Sequence, residues 1–402
     1  MSIKLTDNAM CQFRVAKVFQ EAEEQTISLD FSRDGRRLLT CYPTKMTIYN
    51  CARQATLCQV NLQHYRPEVA CFAQQDTRAL HSASKYDCAI RCLDLETGHC
   101  VRLFNAHSRS AHILVSQPGS QNIFLSAGRD DQIFVWDFRS SSYIHHLKEL
   151  HRPLCAFDPA GLVFATSSGT ERIEIHDVRM LGEEPCQKFD YQFSASAKWT
   201  QLQFSPDGKS LLLCTDHSWC FSVNAFDGKY MQSFTGFGND KRQFLEATYS
   251  PDSQFVLSGA DAGRVHIWRA DNGNPVAVLK GNNVGAVRCL RFNPQLTMFV
   301  SSDQLLVFWM PMAQGKYEWV DRLKPGETTV WKDEDHSGFH PKKVPQPKCM
   351  PKPMVDLQQL HRALRSSSWG TKPKRPRPEE TSVDLTKDQG SESSVEEGEI
   401  SD

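Results

Sequence analysis

Phe204-Ser205-Pro206-Asp207-Gly208 ends one strand-like run and leads through a polar turn into a second, Leu211-Leu212-Leu213-Cys214. Serine, proline, aspartate and glycine each favour a tight reversal for a separate reason, so the five residues read as a turn between two strands. The pattern is repeated along the chain. It returns as Phe31-Ser32-Arg33-Asp34-Gly35, Phe72-Ala73-Gln74-Gln75-Asp76, Val115-Ser116-Gln117-Pro118-Gly119, Phe157-Asp158-Pro159-Ala160-Gly161, Tyr249-Ser250-Pro251-Asp252-Ser253 and Phe292-Asn293-Pro294-Gln295. Successive anchors lie 41, 43, 42, 47, 45 and 43 residues apart.

A period of roughly 40–45 residues is that of a four-stranded propeller blade. Seven anchors therefore predict an all-β, seven-bladed WD-repeat β-propeller over residues 1–311. About 20 residues after each anchor a third strand ends: Ile48-Tyr49-Asn50, Cys92-Leu93-Asp94, Val135-Trp136-Asp137, Ile175-His176-Asp177, Ser222-Val223-Asn224, Ile267-Trp268-Arg269 and Phe308-Trp309. The Trp-Asp pair of WD repeats is intact only at Trp136-Asp137, with Trp268 at the matching place in the sixth unit. The third unit also offers His107, Ser126 and Asp130 at separations that suit a structural network, in which an Asp-held His satisfies buried polar groups. An open ring would leave strand edges unpaired. Phe13-Arg14-Val15-Ala16-Lys17-Val18-Phe19 alternates like a strand and is expected to close the last blade over 13–19, while Pro311 is expected to end pairing there.

The chain has 402 residues, 40% of them hydrophobic, and a formal net charge of −1, so no global field of one sign favours nucleic acid or an anionic membrane. No apolar run reaches the roughly 20 residues of a membrane span, and the first residues lack a signal-peptide stretch, so an intracellular chain with no membrane partner is expected. The 14 cysteines are scattered, many in apolar runs, as expected for reduced thiols. Beyond Pro311 the composition changes. Residues 312–402 are too polar and Pro-rich for a core and are expected to be disordered, with 10 bases and 1 acid over 341–378 and then 1 base and 9 acids over 379–402.

Signatures of phosphate cradles, dinucleotide folds, zinc proteases and serine hydrolases are absent, so no catalytic residue, cofactor or metal site is expected. His145, His146 and His151 fall on an outer strand and the loop after it, where surface packing accounts for them. Trp136, Trp199, Trp219, Trp268 and Trp309 read as core rather than as a stacking platform for bases. Loops at one end of the ring gather Lys45, Lys85, Arg109, Arg129, Arg152, Lys198, Lys241 and Arg242. Such a set would suit an acidic or phosphorylated peptide; the alternative is that these cations only aid solubility. In the tail, Lys372, Lys374, Arg375 and Arg377 form a compact basic run of the nuclear-import kind. Ser393 and Ser394 precede Glu396 and Glu397 at the spacing that acid-directed kinases favour, and Met354–Leu364 has apolar residues near helical spacing.

Several stretches go beyond generic repeat wording. Ile3–Asp7 with Phe13–Phe19, Cys155–Ala165, Trp199–Lys209, Leu245–Phe255, and Val276–Leu279 with Cys289–Pro294 closely resemble, in the same order, the WD repeat-containing protein 82 (Swd-two type) family. The resemblance implies a nuclear, chromatin-associated, non-enzymatic scaffold. It implies as partners the catalytic subunit of a COMPASS-type histone methyltransferase, RNA polymerase II through its phosphorylated tail, and protein phosphatase 1 with its nuclear targeting subunit in transcription termination. Fungal relatives also belong to the cleavage and polyadenylation factor. The tail and the segment Thr40–Lys45 depart from the family pattern. A direct nucleic-acid binder, gripping phosphates with 341–378, is the rival reading.

Overall fold

The computed structural model describes residues 4–312, apart from 21–23, 74–75, 85–86, 121, 141, 170, 193–196 and 284, together with 348–349. Seven antiparallel sheets follow one another around a ring, as the repeat requires. Each blade runs from an inner strand at the central channel to an outer strand at the rim. In the fifth blade these are Trp199–Phe204, Ser210–Thr215, Trp219–Asn224 and Tyr230–Thr235. Between its second and third strands, Leu211 faces Val223 and Leu213 faces Phe221, so alternate side chains enter one interblade core.

The repeated turn acts by capping amides. Ser205 Oγ donates to Asp207 (2.6 Å) and accepts from the Ser210 amide (3.0 Å), while Gly208 adopts φ +73°. The first and sixth blades repeat the scheme with Ser32 and Asp34, and with Ser250 and Asp252; in the sixth, Ser253 itself takes the left-handed position at φ +60°. The polar residue ending the third strand caps the following turn in the same way. Asp137 accepts from the Arg139 amide, Asp177 from Arg179, and Asn224 from Phe226.

The last blade takes its outer strand from the start of the chain: Phe13–Gln20 pairs antiparallel with Leu305–Pro311, from Phe13 opposite Pro311 to Gln20 opposite Leu305. A short helix, Asp7–Cys11, is capped by Thr6 Oγ1 and buries Met10 against the sixth and seventh blades. Pro311 does not end the pairing, because the Met312 amide still reaches the Gln12 carbonyl at 3.0 Å. Proline removes its own donor, and the next residue supplies one. One outer strand is paired on its far side by a distant piece of chain: Tyr191 and Gln192 of the fourth blade lie opposite Cys349 and Lys348.

Candidate functional site: the loop face and the channel

The inner strands lack a strand neighbour on the channel side, and side chains from adjacent blades bond their amides instead. Ser28 Oγ accepts from the Ala70 amide (3.0 Å), Gln201 both accepts from Ala247 N and donates to Ala247 O (2.9 Å each), and Glu246 Oε2 accepts from Leu290 N (3.0 Å). Asp30 Oδ2 accepts from Phe72 N at 2.7 Å. Its enclosure in the channel wall pushes the Asp30 carboxyl up to about 6, against the pull of that amide and of Arg291. Arg291 in turn sits 3.4 Å from Glu246, which holds its guanidinium charged. The cavity within this wall measures about 1560 Å³.

The channel mouths differ. One is ringed by the repeated tight turns. The other is built from the loops joining each blade to the next and from the reversals between second and third strands. On this loop face the structure brings Arg109, Arg129, Arg152 and Lys198 to the mouth of the cavity. Arg66 and Arg288, which the motif reading passed over, join them. Both stand just ahead of an inner strand, as Arg109, Arg152 and Lys198 do, so position within the repeat could have found them. Lys241 and Arg242 are exposed on the loop before the sixth blade but do not line the cavity, and neither does Lys45, whose ammonium lies over the Tyr42 ring. Lys85 lies outside the described residues.

Most acids at this mouth are already bonded. Glu68 pairs with Arg129 (2.8 Å), Glu246 with Arg291, Asp216 with His217 (2.8 Å), and Asp131 accepts from the Arg152 amide (3.1 Å). Exposed Arg66, Arg109 and Arg152 form no ion pair among the described residues, and Lys198 forms none with nearby Asp216. Arg66, Arg152 and Arg242 also adopt φ of +47°, +50° and +50°. Left-handed backbone costs a non-glycine residue about 1 kcal/mol and is concentrated at ligand-holding sites. Phe244, 47% exposed, adds an aromatic surface to the same mouth.

Two of these cations flank a buried relay in the third blade. Trp136 Nε1 donates to Ser126 Oγ (2.8 Å), Ser126 Oγ lies 2.7 Å from His107 Nε2, and His107 Nδ1 lies 2.9 Å from Asp130, which also accepts from the Ser108 amide. Burial lowers the His107 pKa despite Asp130, so the ring is neutral near pH 7 and donates to the carboxylate. The relay ties the loop of Arg109 to the loop of Arg129. Only parts of it recur: Trp309 donates to Ser301 in the seventh blade, and His176 meets Thr166 in the fourth. Trp268 is 3% exposed and stacks on His266. Asp137 is held below the usual carboxylate range by Arg139. The tail residues Lys372, Lys374, Arg375, Arg377, Ser393 and Ser394, and the segment Met354–Leu364, lie outside the described residues. Among the described residues no cluster of three His, Cys, Asp or Glu side chains has metal-binding geometry.

Comparison with known proteins places this ring in a family. The model of the WD domain, G-beta repeat, matches residues 228–269 and 273–309. "WD repeat-containing protein 82" of Drosophila melanogaster is 37% identical over 315 residues, covering 78% of this chain and 99% of that protein. This chain belongs to the WD repeat-containing protein 82 family. Two fungal relatives are more distant. "COMPASS component SWD2" of Saccharomyces cerevisiae is 26% identical over 77% of this chain and 98% of its own length, and "Set1 complex component swd2" of Schizosaccharomyces pombe is 23% identical over 70% and 91%. The family likeness thus spans nearly the whole of each relative.

Proposed function

We propose that this chain is a non-catalytic scaffold subunit of a nuclear, chromatin-associated Set1/COMPASS-type histone methyltransferase assembly, and that its loop face holds an acidic or phosphorylated peptide. The observation that carries the peptide reading is the row of cations on successive interblade loops, Arg66, Arg109, Arg152 and Lys198, beside acids that are bonded elsewhere. The names of the fungal relatives support the assembly. A guanidinium row suits phosphate because each planar fork donates two parallel hydrogen bonds to neighbouring oxygens. The chemistry fits the phosphorylated tail of RNA polymerase II. A protein phosphatase 1 complex with a nuclear targeting subunit is a second assembly that the family resemblance implies.

Function here is rigid display. Strands and turns bonded across blades hold the loops before a ligand arrives, so little ordering entropy opposes binding. The test is affinity purification of the full tagged chain from nuclear extract, with mass spectrometry, beside the variant Arg109→Ala/Arg152→Ala/Lys198→Ala. A methyltransferase catalytic subunit should co-purify with the wild type, and a phosphopeptide-bearing partner should be lost from the variant. Recovery of nucleic-acid-dependent partners alone, with a steep salt slope, would replace this reading with a nucleic-acid binder acting through 341–378.

A further inference from the structure

The cationic mouth has a candidate ligand within the same polypeptide. Residues 379–402 hold 9 acids and 1 base, including Glu396, Glu397 and Glu399 in a row broken only by Gly398. We propose that this acidic end seats on the mouth formed by Arg66, Arg109, Arg152 and Lys198 of its own ring and competes there with partner peptides. The inference rests on the peptide reading above and names a regulator for that site.

Three observations support it. The first is charge complementarity between an acid-rich segment and four exposed cations, three of which form no ion pair among the described residues. The second is where the tail approaches the ring. Lys348 and Cys349 pair with Gln192 and Tyr191, the last residues of the fourth blade's outer strand. Six residues beyond Gln192 the chain reaches Lys198, at the mouth itself. Lys348 and Cys349 therefore lie along the fourth blade on the loop-face side. The third is reach. Twenty-nine residues lie between Cys349 and Glu379. A chain of that length extends to at most about 100 Å, enough to bring the acids back over the ring.

Tethering makes a weak contact count. A tether that spans the two sites presents its end at an effective concentration taken here as about 1 mM. If the free acidic peptide binds at about 100 µM, the tethered copy weakens any competitor about tenfold. Phosphorylation at Ser393 and Ser394 would add charge to the segment and tighten self-occupancy, making the mouth less available to partners.

The experiment uses a fluorescent peptide of sequence 379–402, read by anisotropy at low salt against three full-length proteins. These are the wild type, a chain with the nine acids of 379–402 replaced by their amides, and that amide-tailed chain carrying Arg109→Ala/Arg152→Ala/Lys198→Ala. Thermal melts confirm that the last still folds. The expected result is binding to the amide-tailed chain, about tenfold weaker binding to the wild type, and loss of binding to the triple variant. Equal affinity for the wild type and the amide-tailed chain, still sensitive to the triple change, would overturn self-occupancy while leaving the peptide site standing. Undiminished binding to the triple variant would overturn the proposal by assigning the acids to the basic run 341–378. No binding to the amide-tailed chain would overturn the peptide site as well.

Discussion

The two mouths of the channel are built from the same repeat and have opposite characters. At the turn mouth, neighbouring blades are bonded turn to turn. Asn293 Nδ2 donates to the Gly35 carbonyl (2.7 Å), Arg37 Nη1 to Asp76 O (3.0 Å), Gln117 Nε2 to Gly161 O (2.6 Å), and the Asp207 amide to Ser253 Oγ (3.0 Å). At the loop mouth the interblade loops carry exposed cations, two of them, Arg66 and Arg152, in left-handed backbone. Bonds from turn to turn and cations left without ion pairs among the described residues therefore stand at opposite ends of the ring. Short loops saturated with hydrogen bonds fix the blades, and the longer loops opposite them are free to carry charge that folding does not need.

Substitutions can break this contrast. The largest effect is expected at the turn mouth with Gly161→Ala. Gly161 holds φ +69°, and a Cβ there would meet the Pro118 carbonyl of the neighbouring blade. A backbone clash added to a left-handed alanine should cost about 3 kcal/mol or more in a denaturant melt. A loss below about 1 kcal/mol would show that the turns slide past each other and that the turn mouth is not fixed.

Next comes Ser126→Ala, which removes a strong suture on the loop side. It leaves the Trp136 Nε1–H and His107 Nε2 without their shared partner. Unsatisfied buried groups should cost about 2 kcal/mol, and the loosened loop should also weaken acidic-peptide binding through Arg109. Stability lost with peptide binding unchanged would separate the relay from the cations.

Asp30→Asn tests the channel wall between the two mouths. The folded carboxyl titrates at about 6, above its ordinary value of 3.8, so between these values the folded state binds more protons than the unfolded state. Wild-type stability on this account falls as pH rises from about 4 to about 6 and then levels. The variant lacks that dependence, while its amide still presents an oxygen to the Phe72 N–H. Its stability relative to wild type should therefore grow by about 1–2 kcal/mol between about pH 4 and about pH 8, less than the full shift implies because channel water screens the charge. A difference that stays flat with pH would remove Asp30 from the linkage.

The smallest effect is expected at the loop mouth. Arg152→Gly relieves left-handed backbone at φ +50°. It should leave stability unchanged or raise it by up to about 1 kcal/mol, while weakening the acidic peptide. Destabilisation instead would mean that Arg152 holds the ring together, and the contrast between the mouths would fail.

The blades are more legible in the residues than the site is. The anchors reveal the repeat because a turn needs the same few residue types wherever it occurs, and the Trp136 relay was visible because its four side chains stand at suitable separations within the third unit. The cation set was legible only in part. Arg109, Arg129, Arg152 and Lys198 line the mouth, but Lys45, Lys241 and Arg242 face elsewhere, and Arg66 and Arg288 had no motif to mark them. The bonds from Asp30 to Phe72 and from Arg291 to Glu246 had no local signal, since each partner lies about one full repeat away.

The number of blades, the strand order within each and the ring's need for a closing strand were all settled by sequence, because they follow from a repeating local pattern and the requirement that edges pair. Which charges converge was settled in three dimensions. Lys198 and Arg288 stand at the mouth while Lys241 and Arg242, on the loop between theirs, do not, a packing outcome that spacing along the chain does not encode.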